Sequence, residues 1–264
     1  MGMSRGKTVG EDTQPPRPRR GLNVLLIATI ITVLLVLSFS GFFFIQISKG
    51  KGLQSTPTPT SIYMETPPPQ SVFYDTFINN ALGWSTLSTA GYDRSVKPGE
   101  LILTNTIPGT TLIESLPTNS IYDNFTVSID LTILKAGGND SVGIYIRGDS
   151  NLDHDYRIDL NGNGSFDIAK EYLDSKNDPR SVFLDGSRKS SALNPLGVQN
   201  TITVVMDGSQ LQLFHNQVKV STVNDSDYTI GQVALFVRAG ENSSGVSVSF
   251  SRVEVDTLQE GISG

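Results

Sequence analysis

Cysteine is absent from the 264 residues, and histidine occurs only as His154 and His215. The first absence excludes disulfides, thiol chemistry and a lipidated cysteine anchor, so a folded part must be held by its core alone. With only two imidazoles, zinc sites and histidine-based triads are nearly excluded, and no metal and no cofactor is expected. Chemistry, if there is any, would have to rest on carboxylates. Tryptophan occurs once, at Trp84. Clustered basic residues are missing from residue 71 onward, where acidic residues outnumber basic ones by about ten. That balance excludes nucleic acid, whose phosphates need grouped Lys and Arg.

What is present falls into blocks. Residues 1–21 carry Arg5, Lys7, Arg17, Arg19 and Arg20 against Glu11 and Asp12. Residues 22–47, LNVLLIATIITVLLVLSFSGFFFIQI, contain no charge. At about 1.5 Å per residue the run exceeds a hydrocarbon core of about 30 Å and spans it with some tilt. A cleaved signal peptide would have a shorter apolar stretch ending in small residues, whereas here Phe42, Phe43 and Phe44 prolong it. The run therefore reads as an uncleaved signal anchor. Basic residues lie mainly before it, so the expected orientation is N-terminus inside and everything after it outside. Residues 48–70, rich in Pro and Thr, read as an extended extracellular stalk.

From residue 71 to 258 short apolar runs alternate with turn clusters, and the last residues, 259–264, read as a tail. NFTVSIDLTIL puts Phe125, Val127, Ile129, Leu131 and Ile133 on one face, the period of a half-buried strand. SVGIYIR, DYRIDL and SFDIA repeat the pattern, with Val142, Ile144, Ile146, Tyr156, Ile158, Leu160, Phe166 and Ile168 inward. NGNG between the last two reads as a hairpin turn, making the three strands a meander. In GVSVSFSRVEV the inward parity changes between Phe250 and Val253, which predicts a bulge at Ser251 and Arg252. About a dozen strands without helical runs imply an all-β, two-sheet jelly-roll sandwich behind one N-terminal transmembrane helix.

YDTFINNALGW, GIYIR, YRIDLNGNGSFDI, NTITVVMDGSQLQLFHN, YTIGQVALFV and VSFSRVEV together resemble the concanavalin A-like, laminin G-like sandwich domains of the 3-keto-disaccharide hydrolase-type, family 16 glycoside hydrolase-like group. The resemblance covers residues 72–256 and implies the fold, a bacterial surface setting and a link to carbohydrate. It rests on spaced aromatics and glycines that fix architecture, so activity has to come from the site.

Three constellations are candidates. If the three meander strands are adjacent, Tyr145, Arg147, Asp155, Arg157, Asp159, Asp167 and Glu171 share the face opposite the core. Aromatic faces, planar Arg groups and carboxylates there suit a glycan cleft, while the plainer reading is a solvated face of cross-strand Arg and Asp pairs. Asp159, Asn161, Asn163, Gly164 and Asp167 are spaced like the start of a calcium loop, but Lys170 occupies the place of its closing Glu, which favours a simple turn. Glu254, Asp256 and Glu260 are similar to the acid cluster of family 16 glycoside hydrolases, with the last acid one position too late, so no catalytic set is assigned. Trp84 is expected to plug the core near the first strand. The favoured function is non-catalytic binding of a glycan or wall polymer by a cell-membrane protein with an extracellular domain. The alternatives are a carbohydrate-active hydrolase and the ectodomain of a signalling assembly.

Overall fold

The computed structural model describes residues 71–258, and every described element is a strand or a turn. The expected basic tail, membrane helix, stalk and C-terminal tail lie outside the described residues. Among the described residues no helix is long and apolar enough to cross a membrane.

Among the described residues fourteen strands follow one another: β1 Ser71–Asp75, β2 Tyr92–Lys97, β3 Glu100–Asn105, β4 Thr111–Ser115, β5 Phe125–Lys135, β6 Ser141–Gly148, β7 Asp155–Asn161, β8 Ser165–Leu173, β9 Pro179–Lys189, β10 Gln199–Asp207, β11 Gln210–His215, β12 Val218–Asn224, β13 Gln232–Arg238 and β14 Val246–Thr257. They form two antiparallel sheets. One runs β12-β11-β10-β5-β14-β3-β2, with β1 also paired to β14, and the other runs β4-β13-β6-β7-β8-β9. The chain changes sheet repeatedly, so β4 and β13, far apart in sequence, are neighbours. The expected meander is the run β6-β7-β8, extended by β9.

The strand alternation makes the core as the apolar pattern requires. Phe125, Val127, Ile129 and Leu131 of β5 are fully buried against Ile144, Ile158 and Ile168 of the opposite sheet. Trp84 joins this core edge-on to Phe73 and donates its indole N–H to Asp75 Oδ2 at 2.6 Å. A buried indole N–H keeps its energy only with such a partner.

β14 carries the bulge its parity change requires. Its pairing with β5 shifts register between Phe250 and Arg252, so both Phe250 and Val253 point inward. On its other edge Val246–Phe250 pairs β3 and Val253–Asp256 pairs β1. One strand thereby holds three neighbours.

His215 closes β11 fully buried, its Nδ1 2.9 Å from Ser190 Oγ and its ring edge-on to Phe166. Its Nε2 has no partner, and burial pushes its pKa down from 6.5 to about 4. The unfolded chain takes up a proton here below pH 6.5, whereas the folded chain resists until about pH 4. Stability should therefore fall as pH drops through that window, by about 3 kcal/mol from this group. Urea denaturation at pH 7 and pH 4.5 checks it: His215→Gln, which keeps a polar contact for Ser190 but cannot titrate, should lose less stability on acidification than the parent.

Candidate functional site

β6, β7 and β8 face the core with one set of side chains and send the other set to the outer face of the six-stranded sheet. Their register aligns that outer set in rows. One row runs Ala234, Tyr145, Arg157, Ala169 and Phe183 across β13, β6, β7, β8 and β9. The next runs Phe236, Gly143, Asp159 and Asp167. Gly143 is where the backbones and rings come closest: a Cβ there would sit 1.9 Å from the Ile158 carbonyl oxygen and 3.1 Å from the Phe236 ring. Its absence lets Phe236 lie against the sheet, 4.9 Å from the Tyr145 ring.

Arg157 organises the polar part. Its Nε donates to Asp159 Oδ2 at 2.7 Å, and its terminal nitrogen pairs with Glu171. Asp159 is fully buried and also accepts from Ser141 Oγ at 2.8 Å and from Arg238 at 3.0 Å. Asp167 accepts from Asn161 Nδ2 at 2.6 Å and from the Ser187 backbone N–H. Burial pushes the Tyr145 phenol up to about 12, with the Arg157 charge opposing. Asp155 is the exception: both its carboxylate oxygens are buried with no hydrogen-bond partner. Burial pushes it up to about 8, with Arg157 opposing and Asp149 and Asp153 adding to the rise.

Tyr145, Asp155, Arg157, Asp159, Asp167 and Glu171 thus share one face, as the alternation predicts. Two expectations are corrected. Its polar centre is not solvated, because Tyr145, Asp155, Arg157, Asp159 and Asp167 are all buried, while Glu171 and Arg238 at its rim reach water in part. Small residues at Gly143, Ala169 and Ala234 let the long side chains lie flat and cover one another. Arg147 is not on this face at all. Its φ of +51° turns it out of the alternation, and its guanidinium donates to the carbonyls of Asp123, Gly208 and Tyr228. It is a buried clamp on three loops.

The other candidates separate cleanly. β7 and β8 are joined by a hairpin with Gly164 at φ +79°, and Asn161 turns its amide N–H groups, not its oxygen, towards Ser165 and Asp167. Among the described residues no three His, Asp or Glu side chains form a metal-holding group. Glu254 lies on the other sheet, paired with Arg252, which also takes Asp130 at 2.8 Å. Asp256 follows on the same strand, and Glu260 lies outside the described residues.

Phe183 is the residue that sequence reasoning misses. It stands 61% exposed on the edge strand β9, across from Ala169 and next to Gly186, where a Cβ would sit 3.2 Å from the Phe183 ring and 3.5 Å from Asp167 Oδ1. The signal was a phenylalanine between Val182 and Leu184 in an otherwise polar run, with Leu184 packing on the core and Phe183 pointing the other way. A depression of about 170 Å³ opens on the same sheet between Leu152, Glu171, Pro179, Arg180 and Ser181. A larger cavity of about 310 Å³ sits at the β7-β8 turn, but Asn161 and Asn200 within it are already bonded to the protein.

A family model described as 3-keto-alpha-glucoside-1,2-lyase-like domain matches residues 75–255. No curated protein matches the chain. Among solved structures, a family 16 endo-glucanase from Bacteroides ovatus aligns over 70% of this chain and 99% of its own at 15% identity, with a TM-score of 0.51. A second Bacteroides ovatus family 16 enzyme, described with a mixed-linkage glucan product, aligns over 69% and 99% at 14% identity, with a TM-score of 0.50. Carbohydrate-binding module 66 from Bacillus subtilis aligns over 70% and 95% at 14% identity, with a TM-score of 0.45. At these identities the likeness to the two family 16 enzymes shows the sandwich fold.

Asp159 is the anion on which two guanidinium groups converge. Removing it leaves Arg157 buried with one partner fewer, a loss in the range of about 3–5 kcal/mol for a broken buried pair. Asp159→Ala should therefore lower the urea midpoint far more than Glu254→Ala, whose partner Arg252 is a quarter exposed and keeps Asp130.

Proposed function

We propose that this chain, which belongs to the 3-keto-alpha-glucoside-1,2-lyase-like domain family, displays its sandwich on the outside of a cell membrane and binds a glycan or wall polymer there without cleaving it. The uncharged run 22–47 with basic residues before it supports the anchor and its orientation, and the Pro/Thr-rich residues 48–70 support a spacer that holds the domain off the bilayer.

The observation that carries binding is Phe183 beside the ion-paired face. An exposed aromatic ring offers a flat apolar surface to the C–H face of a sugar, and Glu171 and Arg238 at the rim offer planar hydrogen-bonding groups to its hydroxyls. The carboxylates give the reason for favouring binding over hydrolysis. A retaining glycosidase needs two carboxyls about 5–5.5 Å apart, free to act as acid and nucleophile. Here Asp159 is engaged by Arg157, Arg238 and Ser141, Asp167 by Asn161 and Ser187, and the charge of Glu171 is paired with Arg157 through one oxygen, which leaves the other open to a hydroxyl.

The test is a polysaccharide panel offered to the chain in detergent, read for retention and for released reducing sugar. Retention without release is expected. Phe183→Ala should weaken it by about 1 kcal/mol or more, roughly fivefold in Kd, and leave folding intact because the ring packs little. Release of sugar would favour the hydrolase, and neither retention nor release would sink both readings.

A further inference from the structure

Asp155 is an anomaly that neither the core nor the glycan reading uses. Its carboxyl is fully excluded from water and has no partner on either oxygen. Stripping a polar group of water without replacing its hydrogen bonds is costly, and the cost for a charged carboxylate is larger still. Something must hold the cover in place against that cost.

The cover is the six-residue loop Asp149–His154 between β6 and β7. Its internal bonding is nearly self-sufficient. The Asp149 carboxylate accepts from the backbone N–H groups of Asn151 at 3.2 Å and Asp153 at 2.9 Å, and lies 3.0 Å from His154 Nδ1. The Leu152 N–H donates to the Asp149 carbonyl at 3.1 Å, and the Asp149 N–H to the His154 carbonyl at 3.2 Å. What ties the loop to the sheet is Leu152. It sits at φ +56°, a conformation a branched side chain avoids, and that turn sends it onto the apolar patch of Tyr145, Ala234 and Phe236. The Leu152 methyl also reaches within 2.2 Å of where a Cβ on Gly148 would be, so Gly148 leaves the room it occupies. A compact loop held to the sheet by one apolar plug, with the His154 ring edge-on to Tyr228 at 6.1 Å as a further contact, beside a carboxyl that gains water when the plug lifts, is built as a two-position element.

We propose that Asp149–His154 is a cover over the inner part of the outer face, with Leu152 as its plug, and that it lifts when the Asp155 carboxyl beneath it is ionised. The charged groups around Asp155 set the sign. Arg157 on its own strand favours the ionised form, while Asp149 and Asp153 of the cover itself oppose it. Glu171 is the cross-strand partner but is tied to Arg157, the Arg147 guanidinium is turned away to the loop carbonyls, His154 is engaged with Asp149, and Tyr145 and Tyr228 are neutral phenols raised by burial. Under the closed cover the acid keeps its proton up to about pH 8, against an ordinary value of 3.8. The closed position is therefore favoured fully in acid, loses about tenfold in its equilibrium per pH unit above about pH 4, and loses no more above about pH 8. Lifting the cover would uncover Tyr145 and the Arg157–Glu171 pair and enlarge the 170 Å³ depression, whose wall it forms through Leu152 and Asp153.

The absence of cysteine makes a direct test available. Ala234→Cys places a single thiol under Leu152, where Ala234 is buried. In the full chain in detergent, its rate of modification by a small thiol reagent is divided by that of a free cysteine peptide at the same pH. The corrected rate should rise up to about a hundredfold between pH 5.5 and pH 7.5. Asp155→Asn on that background should flatten the rise, and Leu152→Ala should make modification fast at both pH values. Val204→Cys, in the core between the sheets, should stay unmodified throughout, which separates a lifted loop from global unfolding. If Ala234→Cys does not fold, Ala169→Cys, buried beside Arg157 on the same face, serves in its place. A flat profile in the parent, or the same rise with Asn at 155, would overturn the proposal. No glycan is present in this assay, so its outcome is separate from that of the binding reading.

Discussion

Burying both faces of β6, β7 and the first half of β8 is the constraint on which the rest of the structure depends. A strand in a sandwich ordinarily keeps one face wet, and its polar residues then need no partners. Here the second face also leaves water, so each charge on it has to be met within the sheet. Arg157 does most of this, because a planar guanidinium with several donors can satisfy Asp159 along its own strand and Glu171 across the next. The small residues around it follow from the same need. With a side chain at Gly143, Phe236 could not lie flat, and the Tyr145 ring would lose the surface it packs on.

The eight-stranded sheet meets a similar problem with less at stake. Its outer face carries Arg252 between Asp130 and Glu254, but these groups are partly exposed, and water shares the work of satisfying them. Pairs of that kind contribute little to stability. The bulge at Ser251 matters more, since it keeps Phe250 and Val253 both in the core while β14 bends from β3 to β1. The two sheets therefore rely on different devices, a buried ion cluster in one and a bent central strand in the other.

Much of this was legible in the amino-acid pattern, because it is local. Period-two alternation put Ile144, Ile158 and Ile168 in the core and Tyr145, Arg157 and Asp159 opposite them, and the parity change located the bulge. The Asn-Gly turn and the buried Trp84 were equally local inferences. What could not be read depends on contacts between distant segments. The burial of Tyr145 draws on Phe236, some ninety residues beyond it, and on Leu152, whose inward turn needs a positive φ that leucine does not advertise. Arg147 left its expected face for the same kind of reason: three loop carbonyls from separate parts of the chain draw it to the end of the sandwich. Phe183 was hidden because an apolar residue in a strand reads as core unless the edge position of that strand is known.

The chemistry open to the outer face follows from where its protons and lone pairs are already committed. Acid–base cleavage of a glycosidic bond requires a carboxyl that holds a proton and can also reach the leaving oxygen. Asp155 meets the first condition and fails the second, being closed off from water, whereas Glu171 is partly exposed and spends its charge on Arg157. A binding floor makes neither demand. It needs a ring to stack against, groups held in fixed orientation and little entropy left to lose, and a face whose ions are already locked to one another supplies rigid hydrogen-bonding groups at its rim. The same locking that withholds the carboxylates from catalysis is what would make the face selective for a ligand shaped to it.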